Sequence, residues 1–275
     1  AIPAQEKPTR EGYTFVSWDK NVPDTVSDEN VKNGKLVFQA VWKEIAYTIS
    51  YDLAGGSLPT GKTNPTTFTI NSKPMDLVQP KREGYTFEGW SGTDINGKDT
   101  QVTVTARPLK DRTYTANWKE NSYTIVFNVE GEVTRGEMKN IPLRYTQETT
   151  IPKNGYVCGG YKFVGWRTGG KKSEQKVYQP GDKVSRLCAT NNGTVNLYPI
   201  WEPCEYTITF DYQTGNKREK VTCKYKETYT FPTVNRLGWT FEGWSRSAGS
   251  TNVISYAPNV KTAVFEDEKD LTLYA

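Results

Sequence analysis

Gly12-Tyr-Thr-Phe-Val-Ser-Trp18 recurs in the same chain as Gly84-Tyr-Thr-Phe-Glu-Gly-Trp90, Gly160-Tyr-Lys-Phe-Val-Gly-Trp166 and Gly238-Trp-Thr-Phe-Glu-Gly-Trp244. The copies are 72, 76 and 78 residues apart. A second marker closes each copy: Phe38-Gln-Ala-Val-Trp42, Tyr114-Thr-Ala-Asn-Trp118 and Tyr198-Pro-Ile-Trp201, with Leu271-Thr-Leu-Tyr-Ala275 stopping where the next Trp is due. A third opens it: Tyr47-Thr-Ile-Ser-Tyr-Asp52, Tyr123-Thr-Ile-Val-Phe-Asn128 and Tyr206-Thr-Ile-Thr-Phe-Asp211. The period is too long for a solenoid repeat and matches a small independent domain, so each period must carry its own core.

Working outward from these markers, residues 1–43 form the C-terminal half of a repeat, and complete modules run over 47–118, 123–201 and 206–275, the last without its closing Trp. The joints 43–46, 119–122 and 202–205 contain no Gly, and one contains Pro203, so they cannot behave as free coil. The expected shape is a semi-rigid rod. Beads of roughly 25–30 Å give a length of about 100 Å.

Within a module the reading is mainly β. Tyr47, Ile49, Tyr51 and Leu53 alternate with Thr48, Ser50 and Asp52, the period-two pattern of a half-buried strand that Gly55-Gly56 ends. Thr66 to Ile70 is the returning strand, and the two prolines between Asn71 and Arg82 leave room for at most one short helical turn. Tyr85 to Trp90, Gln101 to Ala106 and Thr113 to Trp118 follow as strands, with Asn96-Gly97 as a type I′ turn. From Tyr206 the same order reads strand, Thr214-Gly-Asn turn, strand Lys220 to Lys226, then strand Trp239 to Trp244.

Composition narrows the function. The 275 residues include no His, which excludes Ser-His-Asp and Cys-His nucleophiles, Cys2His2 and HExxH zinc sites and any imidazole pH switch. A net charge of +4 over the whole length is not the concentrated footprint of a nucleic-acid binder. With 8 Trp, 17 Tyr and 10 Phe the chain has enough aromatic area to build several small cores. No stretch is apolar enough to span a membrane, and residues 1–25 lack a signal-peptide pattern, so an export signal or anchor is expected outside this segment. The start Ala1-Ile-Pro reads as that of an excised or processed piece.

The three ordered markers resemble the Listeria–Bacteroides repeat, related to the B repeat of internalin B, over nearly the whole chain. That resemblance implies tandem small β-grasp-like modules, each a sheet over a short crossover, in bacterial surface or secreted proteins. The family has no catalytic residues to carry over. No cofactor or metal is implied.

Candidate sites are few. Asp94-Ile-Asn-Gly-Lys-Asp99 lacks the Gly and Glu spacing of a calcium loop and reads as a hairpin turn. Arg218, Lys220, Lys224 and Lys226 fall on one strand face in the absence of a bulge, either a solvated face or a contact for an anionic glycan. Glu266-Asp-Glu-Lys-Asp270 reads as a charged loop, Asn192-Gly-Thr194 as a turn, and the recurrent Trp and Tyr as core rather than a sugar-stacking platform.

All four cysteines lie in the second half, and an even, clustered set is compatible with disulfides in an oxidising compartment or with buried thiols. A turn near 214–216 brings Cys204 and Cys223 near each other across a hairpin, leaving Cys158 with Cys188; the alternative Cys188–Cys204 bond would clamp a joint.

The leading expectation is a non-enzymatic extracellular array, a stalk or spacer that joins neighbouring domains of a bacterial surface protein. One alternative is an adhesin segment that binds a glycan or host protein through 123–275. The other is a set of accessory modules of a secreted enzyme.

Overall fold

In the computed structural model the described residues are 6–23, 25, 31, 34–169, 171–250, 252–253, 263–264 (backbone only) and 266–275. The reading of Ala1-Ile-Pro lies outside them. The chain divides into two compact units, Ala1–Asn121 and Ser122–Ala275.

In the first unit the strand Tyr47–Asp52 pairs antiparallel with Thr67–Phe68 on one side and parallel with Arg112–Glu120 on the other, and Arg112–Glu120 pairs antiparallel with Tyr85–Gly92. Opener and closer thus lie side by side at the middle of a mixed four-stranded sheet. A parallel pair needs a long crossover. Here the crossover holds a two-stranded ribbon, Met75–Asp76 with Thr103–Val104, in place of the expected helical turn. Two prolines and no amphipathic stretch leave a ribbon as the way to bury Leu77, Val102 and Val104 over the sheet. Residues 6–44 supply the hairpin Tyr13–Trp18 with Ala40–Glu44, the counterpart of the centre and closing strands.

The second unit repeats this order with variations. Around Ser122–Phe127 the sheet runs Ile141–Arg144, Ser122–Phe127, Gly193–Pro203, Tyr161–Thr168, Val177–Tyr178. The extra ribbon Val133–Arg135 with Val157–Cys158 belongs to this module among the described residues. In the last module Glu205–Asp211 pairs antiparallel with Arg218–Lys224 and parallel with Leu271–Tyr274.

The markers are core positions. Trp90, Trp166 and Trp244 are fully buried, as are Ile125 and Ile208, with Ile49 nearly so. The last aromatic residue of each opener meets the centre Trp: Tyr51–Trp90 at 6.0 Å, Phe127–Trp166 at 4.8 Å, Phe210–Trp244 at 4.7 Å between ring centroids. The x-Gly before the centre Trp is a bulge, since pairing with the closing strand slips between Phe87 and Gly89 and between Phe163 and Gly165. At Gly89, φ is +126° and a Cβ would lie 2.8 Å from the Asp99 backbone, which bridges to Trp90. Only Gly fits there.

Three local expectations are corrected. Asn96-Gly97 is not a type I′ turn, because the positive φ values fall on Asp94 and Gly97 and a I′ turn needs them on successive residues. Trp239 to Trp244 forms no strand. Its counterparts Tyr85-Thr-Phe87 pair with Trp118-Lys-Glu120, positions with no counterpart in a sequence ending at Ala275. The joints are shorter than four residues, with only Cys204 between strands Gly193–Pro203 and Glu205–Asp211.

Candidate functional site

Of the features that could carry a function, the joints inside each unit are the most fully built. In the first unit Gly12 adopts φ +78° and a Cβ there would lie 2.9 Å from Ile70 of the following module. The Asn71 amide donates to Tyr13 Oη at 2.7 Å and to Glu44 Oε1 at 2.6 Å. Hydrogen bonds from the Thr69 side chain first, then Asn71, hold the Glu44 carboxyl below its ordinary range. Arg107 makes a two-pronged contact with Glu11, at 2.5 and 2.9 Å.

The second unit uses the corresponding positions. Tyr47 pairs with Phe68 and Tyr206 with Cys223, so Ile70 and Tyr225 each stand two residues beyond the residue that faces the opener's Tyr. Tyr225 packs on Gly160, where φ is +72° and a Cβ would lie 2.3 Å from the ring, and it meets Tyr161 edge-on at 5.3 Å. The backbone continues the lock: Cys204 N–H donates to Gly160 O at 2.8 Å and Tyr225 N–H to Cys204 O at 2.9 Å. Lys226 reaches Glu132 at 2.6 Å. The first Gly of the repeated motif is thus the socket for the next module, a role that the sequence marked without explaining.

The basic cluster is dispersed by its partners. Arg218, Lys220 and Lys224 share an exposed face of one strand, but Arg218 pairs with Asp211 at 2.9 Å and Lys224 approaches Glu205 at 3.9 Å. Lys226 is not on that face; it sits in the turn beyond the strand at φ +60°, committed to Glu132. Backbone donation from Gln213 and then the Arg218 guanidinium hold the Asp211 carboxyl below its usual range.

All four cysteines are free thiols, and the geometry corrects both expected bonds. Register places Tyr206 opposite Cys223 and Tyr225 beside Cys204, so Cys204 and Cys223 are diagonal neighbours two positions out of step. Diagonal neighbours on a sheet are about 7–8 Å apart, at or beyond disulfide reach. Cys188 lies against Gly193, which faces Tyr123, whereas Cys158 pairs with Val133 beyond the other end of Ser122–Phe127. The four steps from Tyr123 to Phe127 alone separate them by about 13 Å. Cys188 is also a whole closing strand, Gly193–Pro203, away from Cys204. Burial pushes the Cys158 and Cys223 thiols up.

The remaining candidates are structural. Asp94 pairs with Lys110 at 3.0 Å. In the acidic run, Asp267 grips Arg246 with both oxygens at 2.8 and 2.7 Å, and Asp270 accepts from Thr207 N–H at 2.8 Å. Asp111 does the same for Thr48 N–H at 2.7 Å, so an Asp ahead of the closing strand secures the start of the opener in both modules. Asn191 accepts from Ser122 N–H at 3.2 Å, and Asn192 turns at φ +56°. Trp239 alone among the motif aromatics is largely exposed, at 69%. Among the described residues no group of three or more Cys, Asp or Glu is placed to hold a metal, and no helix is long and apolar enough to cross a membrane.

Comparison with known proteins agrees with this architecture. The chain is 24% identical over 248 residues to a putative Gly-rich membrane protein of Evansella cellulosilytica, covering 89% of the chain and 27% of that protein. A putative membrane protein of the same organism is 25% identical over 243 residues, covering 87% of the chain and 33% of that protein. Internalin H of Listeria monocytogenes is 31% identical over 160 residues, 57% of the chain and 27% of that protein. The chain therefore spans about a quarter to a third of these relatives. A sequence model of the Listeria-Bacteroides repeat domain matches residues 1–39, 47–117, 123–198 and 206–275, and the chain belongs to the Listeria-Bacteroides repeat family.

Proposed function

We propose that the chain is a non-enzymatic extracellular spacer that holds neighbouring domains of a bacterial surface protein apart. The observation that supports this reading is the joint: in both units a turn residue of one module seats on the motif Gly of the module before it, and an ion pair flanks the contact. A spacer needs contacts that fix successive modules. A catalyst needs convergent reactive groups, whereas the reactive side chains here are spent on caps and pairs. The likeness to internalin H and to membrane proteins supports a place at the cell surface.

Small-angle scattering tests the spacer. The length expected from the sequence is about 100 Å, and a compact globule refutes it. The rival glycan-binding reading predicts binding to anionic glycans that is lost when Lys220, Lys224 and Lys226 are neutralised together. Carboxylate partners on Lys224 and Lys226 weigh against it.

A further inference from the structure

The last module contains a cavity that its sister modules fill. It has a volume of ≈ 300 Å³ and is lined by Tyr212, Val234, Arg236, Trp239, Phe241 and Ala275. In the 47–118 module the corresponding space holds Trp118, which pairs with Phe87 in register, lies 5.4 Å from its ring, and donates its indole N–H to Leu53 O at 3.0 Å. In the 123–201 module Trp201 pairs with Phe163 at 5.7 Å and donates to Glu130 O at 3.1 Å. Trp42 sits the same way on Phe15, at 5.8 Å.

The last module is ready for such a guest. Phe241 stands 5.5 Å from Trp244, as Phe87 stands 5.6 Å from Trp90, so the aromatic floor is in place. Tyr212 follows Asp211 as Leu53 follows Asp52. The backbone of Trp239–Phe241 is in no strand, although its counterparts Tyr85–Phe87 are paired throughout. Leu237 and Trp239 are left exposed beside the opening, at 102% and 69%.

We propose that this groove is an acceptor site for a tryptophan-bearing β-strand, laid antiparallel along Trp239–Phe241 in line with Leu271–Tyr274. The indole fills the cavity against Phe241. The register of the sister modules sets the rest of the guest: Trp42-Lys-Glu44 and Trp118-Lys-Glu120 each place Glu opposite the motif Tyr, here Trp239. Arg236, whose guanidinium lies 4.7 Å over the Trp239 ring, is beside that position and offers the acidic residue a partner. The guest is therefore an extended Trp-Lys-Glu segment rather than a free aromatic molecule. This goes beyond the spacer reading, because it gives the array a site at which a further polypeptide strand is taken up.

The test compares two versions of the full chain, one extended after Ala275 by Asn-Trp-Lys-Glu and one by Asn-Ala-Lys-Glu. Hydrogen exchange at the amides of Trp239–Glu242 is read in both. The Trp tail is expected to slow exchange at least tenfold relative to the Ala tail and to raise the melting temperature of the last module. Equal exchange with both tails overturns the proposal, since it shows that the indole has no place in the groove. The spacer reading does not enter this result, which concerns one module only.

Discussion

Replacing Gly160 by Ala puts a methyl group where the Tyr225 ring now lies, 2.3 Å from its nearest carbons, at a backbone φ of +72°. Two effects are then separable. A left-handed Ala costs about 1–2 kcal/mol, of which roughly 0.4–1 is returned by the stiffer unfolded chain. The ring must also shift, giving up its edge-on contact with Tyr161, worth about 0.5–1.5 kcal/mol, and straining its surroundings by about 1–3 kcal/mol. The expected loss is about 2–4 kcal/mol. Gly215 provides the control, since it has φ +61° with nothing within 4 Å of its Cβ position. Gly215→Ala carries the backbone effect alone, about 1 kcal/mol or less. Urea unfolding of both variants measures the difference, and hydrogen exchange at the Cys204 and Tyr225 amides, which bridge the joint, locates it. In the double variant Gly160→Ala, Tyr225→Ala the two losses should be less than additive, because the methyl then has room. Equal destabilisation by Gly160→Ala and Gly215→Ala would refute the idea that the joint is a packed contact.

Other perturbations address the core, the thiols and acid stability. Trp166→Ala removes a fully buried indole that meets Phe127, Tyr156 and Phe163, and should cost about 3–5 kcal/mol in a denaturant titration; a loss below about 1 kcal/mol would show that the motif Trp is not core. Iodoacetamide followed by peptide mass spectrometry should label half-buried Cys188 and Cys204 before buried Cys158 and Cys223, and uniform labelling of the native protein contradicts the burial assigned here. The Asp211 carboxyl is lowered in the folded state by Gln213 N–H and Arg218, so its contribution to stability is complete above the unfolded carboxyl range and is lost as pH falls through the lower folded value. Asp211→Asn should lower the melting temperature at neutral pH and flatten its fall between about pH 4 and 2; parallel curves for the two proteins would remove Asp211 from the account.

The repeat was legible because a core must be rebuilt in every module, and the same packing problem drew the same residues: Ile49, Ile125 and Ile208 under the sheet, Trp90, Trp166 and Trp244 over them. Period-two alternation likewise identified the openers, since one face of each is buried and the other is not. The joints were marked but not interpretable. Gly12 and Gly160 read as turn residues, and only the structure shows that their missing Cβ makes room for Ile70 and Tyr225, some 60 residues further along the chain.

Cysteine pairing failed for a related reason. Counting across a hairpin gave the neighbourhood of Cys204 and Cys223 but not the register, and a two-residue slip is the difference between facing and diagonal positions. The basic face failed because a strand pattern records which side a Lys leaves from, not that Glu132 or Asp211 awaits it. Sequence by itself determined the fold class, the number of modules and their core residues, since these follow from local hydrophobic period and repetition. Tertiary structure alone decided the parallel pairing of opener and closer, the Gly sockets and the open groove beside Trp239, because each depends on residues far apart in sequence reaching one place at ångström accuracy.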